Sequence, residues 1–296
     1  MAEFPLVSVI IPCYNRQDYI AETIDSVLNQ TWSNIELIVV DDGCTDRSRQ
    51  ILESYGEKIR LMEHPGRINK GQSAAINVGL RCANGDYVAI LDSDDVFLPE
   101  KIEKQVCFLS QHRQYGLVYS NGHAIDEKGR MLYLLLDEGH LPPTGPETVL
   151  LNSCFNLPSN ALVRKEVFDQ AGWFEETYRS AQDHDMAIRV AEIARVGFIN
   201  ECLWLYRRHG KSISRMRTLE RWQNGLKILK AACRRYPYPL GVRLKRKAVL
   251  HFRLGQCHWQ QRDFVTSLFY FGVAGFCDPA RALKVLSGRE PVTGPQ

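Results

Sequence analysis

The chain has 296 residues, of which 45% are hydrophobic, 10% aromatic and 24% charged. That balance excludes a disordered, collagen-like or coiled-coil chain, and at roughly 100–200 residues per domain it allows one large domain or one with an appendage. The formal net charge of +3 hides an asymmetry, because residues 207–247 hold fourteen Lys or Arg and one acid, Glu220, so this stretch carries +13 and the remainder −10.

In chain order, Val7–Ile11 predicts a buried first strand ended by Pro12. The apolar spacing of Tyr19, Ile20, Ile24, Val27 and Leu28 predicts a helix over 17–30. Ile35–Val40 is a second strand running into Asp41-Asp42-Gly43, and Thr45 or Asp46 can cap the helix that follows. A short strand over 59–63, a helix over 71–82 and a strand over 86–91 come next, the last running into Asp92-Ser93-Asp94-Asp95. Pro99 opens a further helix. This alternation predicts an α/β fold with a mainly parallel sheet flanked by helices. In such sheets ligands bind at the carboxyl ends of the strands. Three polar clusters sit at those ends: 12–15, 41–43 and 92–95.

Residues 116–206 are more mixed, with strands expected at 117–120, 131–136 and 198–206 and a helix at 182–195. Beyond 215 only helical patterns remain, over 219–235, 240–260 and 263–277. The longest nearly apolar run, 264–277, is shorter than the roughly 20 residues a spanning helix needs. The start of the chain lacks the basic and apolar regions of a signal peptide. The nine cysteines are scattered with no C-x-x-C pair, which fits reduced thiols in a cytoplasmic protein. No G-x-G-x-x-G, Walker-type or G-x-S-x-G pattern occurs, which disfavours dinucleotide, P-loop and hydrolase chemistry.

Asp92 and Asp94 are expected to alternate across the end of one predicted strand, with Asp95 beside them. Two carboxylates 4 Å apart repel by about 4 kcal/mol at an effective dielectric of 20, and a divalent cation would relieve this. An oxygen-rich, open site suits Mg2+ or Mn2+ together with substrate phosphates. A carboxylate at Asp42 can accept from an imide N–H of a uracil or thymine base, or from a ribose hydroxyl.

Several segments, taken together and in order, resemble family 2 inverting glycosyltransferases of the GT-A fold. They are Val7 to Asn15 (V-S-V-I-I-P-C-Y-N), Val39 to Asp46 (V-V-D-D-G-C-T-D), Gly71 to Asn77 (G-Q-S-A-A-I-N) and Gly85 to Asp95 (G-D-Y-V-A-I-L-D-S-D-D). Asn160 to Gly172, Gln182 to Arg189 (Q-D-H-D-M-A-I-R) and Tyr206 to Ser214 continue the set. The resemblance implies that Pro12, Tyr14, Asn15, Asp42, Gly71, Asp92 and Ser93 line the nucleotide pocket, with Asp42 at the base. It implies that Asp94 holds a divalent metal, Mn2+ or Mg2+, that His209 reaches the diphosphate or that metal, and that Asp183 is the general base. Two departures stand out: Gln182 replaces an acid common in the family, and Ile76 stands where many members carry Arg.

The expected function is transfer of a sugar from a nucleoside-diphosphate sugar, UDP favoured and dTDP admitted, to a hydroxyl on a glycan or lipid-linked acceptor. The alternative is a non-catalytic nucleotide-sugar-binding module. The expected organisation is a GT-A domain over 1–214, a basic helical extension over 215–287 and a flexible tail over 288–296. The basic helices are expected to meet an anionic membrane from the cytoplasmic side as a peripheral protein. Nucleic acid is disfavoured, because few aromatics interleave the cations.

Overall fold

The computed structural model describes residues 4–152, 155, 159–210 and 217–287. The predicted tail and the expected boundary at 214 lie outside the described residues. The described residues within 1–149 and 153–212 form one compact unit, and those within 150–152 and 213–296 a second.

The first unit runs β1 (Val7–Cys13), α1 (Ile20–Leu28), β2 (Ile35–Asp41), α2 (Ser48–Ser54), β3 (Arg60–Glu63), α3 (Gln72–Cys82), β4 (Tyr87–Ile90), β5 (Val96–Phe97) and α4 (Lys101–Gln111). It continues with β6 (Tyr115–Ile125), β7 (Met131–Leu134), α5 (Pro146–Leu151), whose last two residues belong to the second unit, β8 (Ala161–Arg164), α6 (Lys165–Ala171), α7 (Gln182–Ile193) and β9 (Arg195–Arg207). The strands form one sheet in the order β3-β2-β1-β4-β8-β6-β9-β5, with β7 paired to β6. β1 to β4 pair in parallel, as the alternation predicts. β8 is inserted antiparallel between β4 and β6, and β9 returns parallel to β6. β1, β2, β4, β6 and β9 therefore all point the same way, and their carboxyl ends share one edge.

Every residue of β1 is buried. Val7, Val9, Ile11 and Cys13 pack in a core with Ile20, Ile24 and Val27 of α1 and Ile102, Val106 and Leu109 of α4. The alternate residue Ile10 faces α3, where Gly79 leaves the room that a side chain would take from it. Helices thus cover both faces, which is why the strands read as near-continuous apolar runs.

Three local expectations need correction. β1 does not stop at Pro12 but pairs with β2 as far as Cys13. The last bond toward β4 is Leu91 N–H to Ile10 O, and Pro12 faces the same side two residues later, where no β4 pairing remains to miss its N–H. Asp92 and Asp94 do not alternate on a strand: β4 ends at Ile90, and residues 92–95 form a turn closed by Asp95 N–H to Asp92 O at 3.0 Å. β8 and α6 were not foreseen, because a four-residue apolar segment carries too little periodicity to identify.

Lys101, the first residue of α4, is fully buried. Its Nζ donates to Gln105 Oε1 at 2.7 Å and lies 4.0 Å from the centre of the Phe97 ring. Burial holds Lys101 well below the usual lysine range. Between that lowered value and the ordinary value of about 10.4, the unfolded chain binds the proton that the folded chain has shed, so stability rises with pH. Urea denaturation across neutral to alkaline pH will show this gain in the wild type and lose this component of it in Lys101→Met. An identical pH dependence in both would refute it.

The second unit contains α8 (Thr218–Arg235), α9 (Leu240–Gln260), α10 (Phe264–Cys277) and α11 (Pro279–Leu286). α9 and α10 are joined by three residues and pack through Gly255, Phe252 and His251 against Ser267, Phe271 and Tyr270. Gly225 of α8 lies against Leu250 of α9. Arg246 is buried, donating to Leu151 O at 3.1 Å, and burial with the nearby Arg221 charge lowers it to about 10.

Candidate active site

The sequence turns away from each parallel strand with polar residues, and the fold gathers these turns at one edge. After β1, Asn15 adopts a left-handed conformation (φ 51°). Its Oδ1 accepts from Thr45 N–H at 2.8 Å, tying the loop after β1 to the loop after β2. Tyr14 beside it is exposed, and Pro12 is buried in the strand end. Cys13 and Cys44 bring their sulfurs within 3.9 Å, and Asn15 N–H points to Cys44 Sγ at 3.3 Å.

Asp42 is buried and faces the loop that precedes α3. It accepts from Lys70 N–H at 2.7 Å, Gly71 N–H at 2.9 Å and Asn69 Nδ2 at 2.9 Å, and His64 Nε2 lies 3.2 Å away. Burial raises its carboxyl above the usual range against these stabilising contacts. Gly71 has φ 91° and caps α3. A Cβ there would meet only the end of the flexible Arg179 side chain, so it is the positive φ that favours glycine.

In the 92–95 turn, Asp94 Oδ2 accepts from Arg16 Nε at 3.0 Å and lies 2.8 Å from His209 Nε2. Burial works to raise the Asp94 carboxyl, but His209 and Arg16 outweigh it and hold it below the usual range. Asp92 behaves oppositely. Burial, reinforced by the charges of Asp94 and Asp183, pushes it up to about 7. Ser93 is buried between them. Asp95 is structural: its Oδ1 accepts from Arg207 N–H at 2.9 Å, and burial raises its carboxyl well above the usual range.

Asp183 stands in the first turn of α7, partly exposed. The preceding residue, Gln182, donates to Gln72 Oε1 at 2.6 Å, and Gln72 Nε2 donates to Asp92 Oδ1 at 2.5 Å. These two amides connect the amino-terminal ends of α3 and α7 to the aspartate turn. The replacement of an acid by Gln182 thereby acquires a physical role, since an amide can donate to Gln72 and a carboxylate cannot. Asp185 is engaged by Arg189 at 2.8 Å, and Ile76 is fully buried.

The structure thus brings Asp94 and His209 into contact, sets Asp92 within reach of the Asp94 and Asp183 charges, and holds Asp42 against the loop at Gly71, which leads through Gln72 to the same turn. Three residues escaped the sequence reading. Arg16 follows Asn15 directly and pairs with Asp94. Gln72 lies inside a quoted motif but has no charge to draw attention. Arg207 donates through Nε to Asp94 O at 2.9 Å and through Nη2 to Glu22 at 2.6 Å, clamping the turn's backbone. Its position at the end of β9, two residues before His209, was the available signal.

Residues 8–172 match the sequence profile of glycosyl transferase family 2. The chain belongs to this family. An uncharacterized glycosyltransferase of Rickettsia felis is 34% identical over 216 residues, which is 71% of this chain and 35% of that protein. Glycosyltransferase GlyG of Streptococcus pneumoniae is 32% identical over 228 residues, 71% of this chain and 73% of that protein. The chain thus spans about a third of the Rickettsia felis relative it matches. Among solved structures, S. aureus TarS 1–349 in complex with UDP-GlcNAc superposes with a TM-score of 0.65 at 22% identity, over 90% of this chain and 73% of that one. The mannosyltransferase PcManGT of Pyrobaculum calidifontis, in complex with GDP-Man and Mn2+, gives 0.61 at 19% identity, over 97% of this chain and 81% of that one. The fold is the GT-A type that the sequence resemblance implied.

Proposed function

We propose that this chain transfers a sugar, with inversion, from a nucleoside-diphosphate sugar to a hydroxyl of a glycan or lipid-linked acceptor in polysaccharide synthesis. A UDP-sugar is the favoured donor and a dTDP-sugar is admitted. The single observation that carries the reading is the Asp92–Asp94 turn at the carboxyl edge of a parallel sheet, with His209 and Arg16 against Asp94 and the Asp183 charge within reach of Asp92. Similarity to structures holding UDP-GlcNAc and GDP-Man supports the donor class.

The residues fit a divalent cation. Asp94 Oδ2 and His209 Nε2 lie 2.8 Å apart, so a carboxylate oxygen and an imidazole nitrogen, both donor types that such ions accept, stand side by side. Among the described residues no group of three or more His, Cys, Asp or Glu is placed to cage an ion. Asp94 and His209 would therefore hold Mn2+ or Mg2+ with the remaining positions left for diphosphate oxygens and water. A cation held there would supply positive charge against that developing on the departing diphosphate.

The chain's own groups do the rest. Tyr14, Asn15 and the Asp42-held loop at Gly71 shape the nucleotide pocket, with Asp42 setting base recognition. Pro12 and Ser93 wall it, and Asp92 meets the ribose. Arg16 adds a fixed positive charge beside the diphosphate. Asp183 takes the proton of the acceptor hydroxyl as its oxygen bonds to the anomeric carbon and the carbon–diphosphate bond breaks. The organisation into a GT-A domain and a basic extension serves this division: chemistry in the first, and attachment to an anionic membrane from the cytoplasmic side in the second.

The test incubates the full chain with UDP-sugars and dTDP-sugars, a lipid-linked acceptor and Mn2+ or Mg2+, and follows both released nucleoside diphosphate and glycosylated acceptor. Metal-dependent formation of both products in equal amounts is expected. Donor binding without either product would establish the non-catalytic alternative instead.

A further inference from the structure

α10 is the apolar run that is too short to span a bilayer, and its fourteen residues include no charged side chain. Ser267, Ala274 and Cys277 are buried on one side. Val265, Leu268, Phe269, Gly272 and Phe276 are exposed on the other. At 100° per residue these five positions fall within about one third of the helix circumference. Val265 is 83% exposed, Phe269 65% and Phe276 87%, so two of the helix's phenylalanines stand in water while Tyr270 and Phe271 pack against α9. A helix normally turns an apolar stripe inward, and here Tyr270 and Phe271 do so beside Ser267, Ala274 and Cys277, while this second apolar stripe faces out.

The surroundings of this stripe identify what would cover it. Arg262 precedes the helix and Arg281 and Lys284 follow it, all exposed. Trp259 and Phe264, both exposed, stack edge to face at 4.9 Å at its start. The neighbouring acids are occupied as caps, Asp263 accepting from Thr266 N–H and Asp278 from Arg281 N–H. Residues 217–287 contain fourteen Lys or Arg against three acids. An apolar stripe with a tryptophan at one end, cations at both ends and a strongly basic unit behind it complements an anionic lipid surface, with acyl chains under the stripe and phosphates at its ends. A protein partner would meet the apolar stripe but gives no reason for the cations.

We infer that α10 lies in the plane of an anionic bilayer, with Val265, Leu268, Phe269 and Phe276 inserted and Arg262, Arg281 and Lys284 at the headgroups. This rests on the membrane part of the proposed function and assigns it to one element. A basic surface alone would bind vesicles only through charge, whereas this device binds through both terms.

The experiment is flotation of the full chain with vesicles of phosphatidylcholine alone and with phosphatidylglycerol added, over a salt series. The wild type is expected to float with the anionic vesicles and to retain part of this binding at high salt, when charge is screened. Phe269→Ser/Phe276→Ser should lower vesicle affinity about tenfold or more and abolish the salt-resistant part. Arg262→Glu/Lys284→Glu should abolish the preference for anionic lipid. Both changes are on exposed side chains, and circular dichroism with donor binding checks that the fold and the first unit are intact. Failure of the wild type to float, or equal flotation by the phenylalanine variant, overturns the inference. A wild type that is dimeric without vesicles and a phenylalanine variant that is monomeric would do so as well, assigning the stripe to a second copy. Sugar transfer to a soluble acceptor reports on the active site separately, so failure at the membrane and failure of the catalytic reading are told apart.

Discussion

Asp183→Asn is expected to cut turnover by about 10²–10⁴-fold, the range a positioned general base supplies, while leaving donor affinity unchanged. The substitution preserves the shape of the side chain and removes its charge and its ability to take a proton. The two-amide connection from Gln182 through Gln72 to Asp92 does not involve the Asp183 side chain, so the aspartate turn keeps its support. Calorimetric titration with donor and Mn2+, beside steady-state release of nucleoside diphosphate, separates the two quantities. Undiminished turnover would remove Asp183 from the chemistry. An equal loss of donor affinity would move it from the acceptor side of the reaction to the donor side.

Asp94→Ala is expected to abolish transfer chiefly through the donor. The Asp94 carboxylate is the point at which Arg16 and His209 converge, and its removal leaves these two groups without the anion between them. Donor affinity measured in Mn2+ should fall about a hundredfold or more, and its dependence on the metal should disappear, because the proposed first protein ligand is gone. Asp94→Asn provides the control for packing, since an amide oxygen can still accept from Arg16 but binds a hard cation weakly. The same loss in Asp94→Asn separates the missing charge from any collapse of the turn. Wild-type metal dependence in both variants would relocate the cation.

Part of the site was legible because its residues are charged and sit in short motifs directly after apolar strands. Asp42, Asp92 and Asp94 could be picked out in this way, Asp183 came only from the family resemblance, and the fold class followed from the strand–helix alternation. Arg16 and Arg207 were not legible, because an arginine has many surface uses and nothing local tells which carboxylate or carbonyl it will meet 78 or 113 positions away. Gln72 and Gln182 acquire their meaning only as a pair 110 residues apart. β8 stayed hidden because a short buried strand is recognised by its neighbours in the sheet and not by its own four residues.

The amino-acid sequence by itself determined the parallel core, since buried strands must be apolar on both faces, and it placed acidic turns at their ends. It also marked 264–277 as apolar yet too short to span a bilayer. Tertiary structure alone decided which carboxylates face one another, which oxygen of Asp94 meets both Arg16 and His209, and that Val265, Leu268, Phe269 and Phe276 of α10 turn outward. The physical reason is range: periodicity and turn chemistry act over a few residues, whereas burial, charge interaction and side-chain contact depend on segments the fold brings together from far apart.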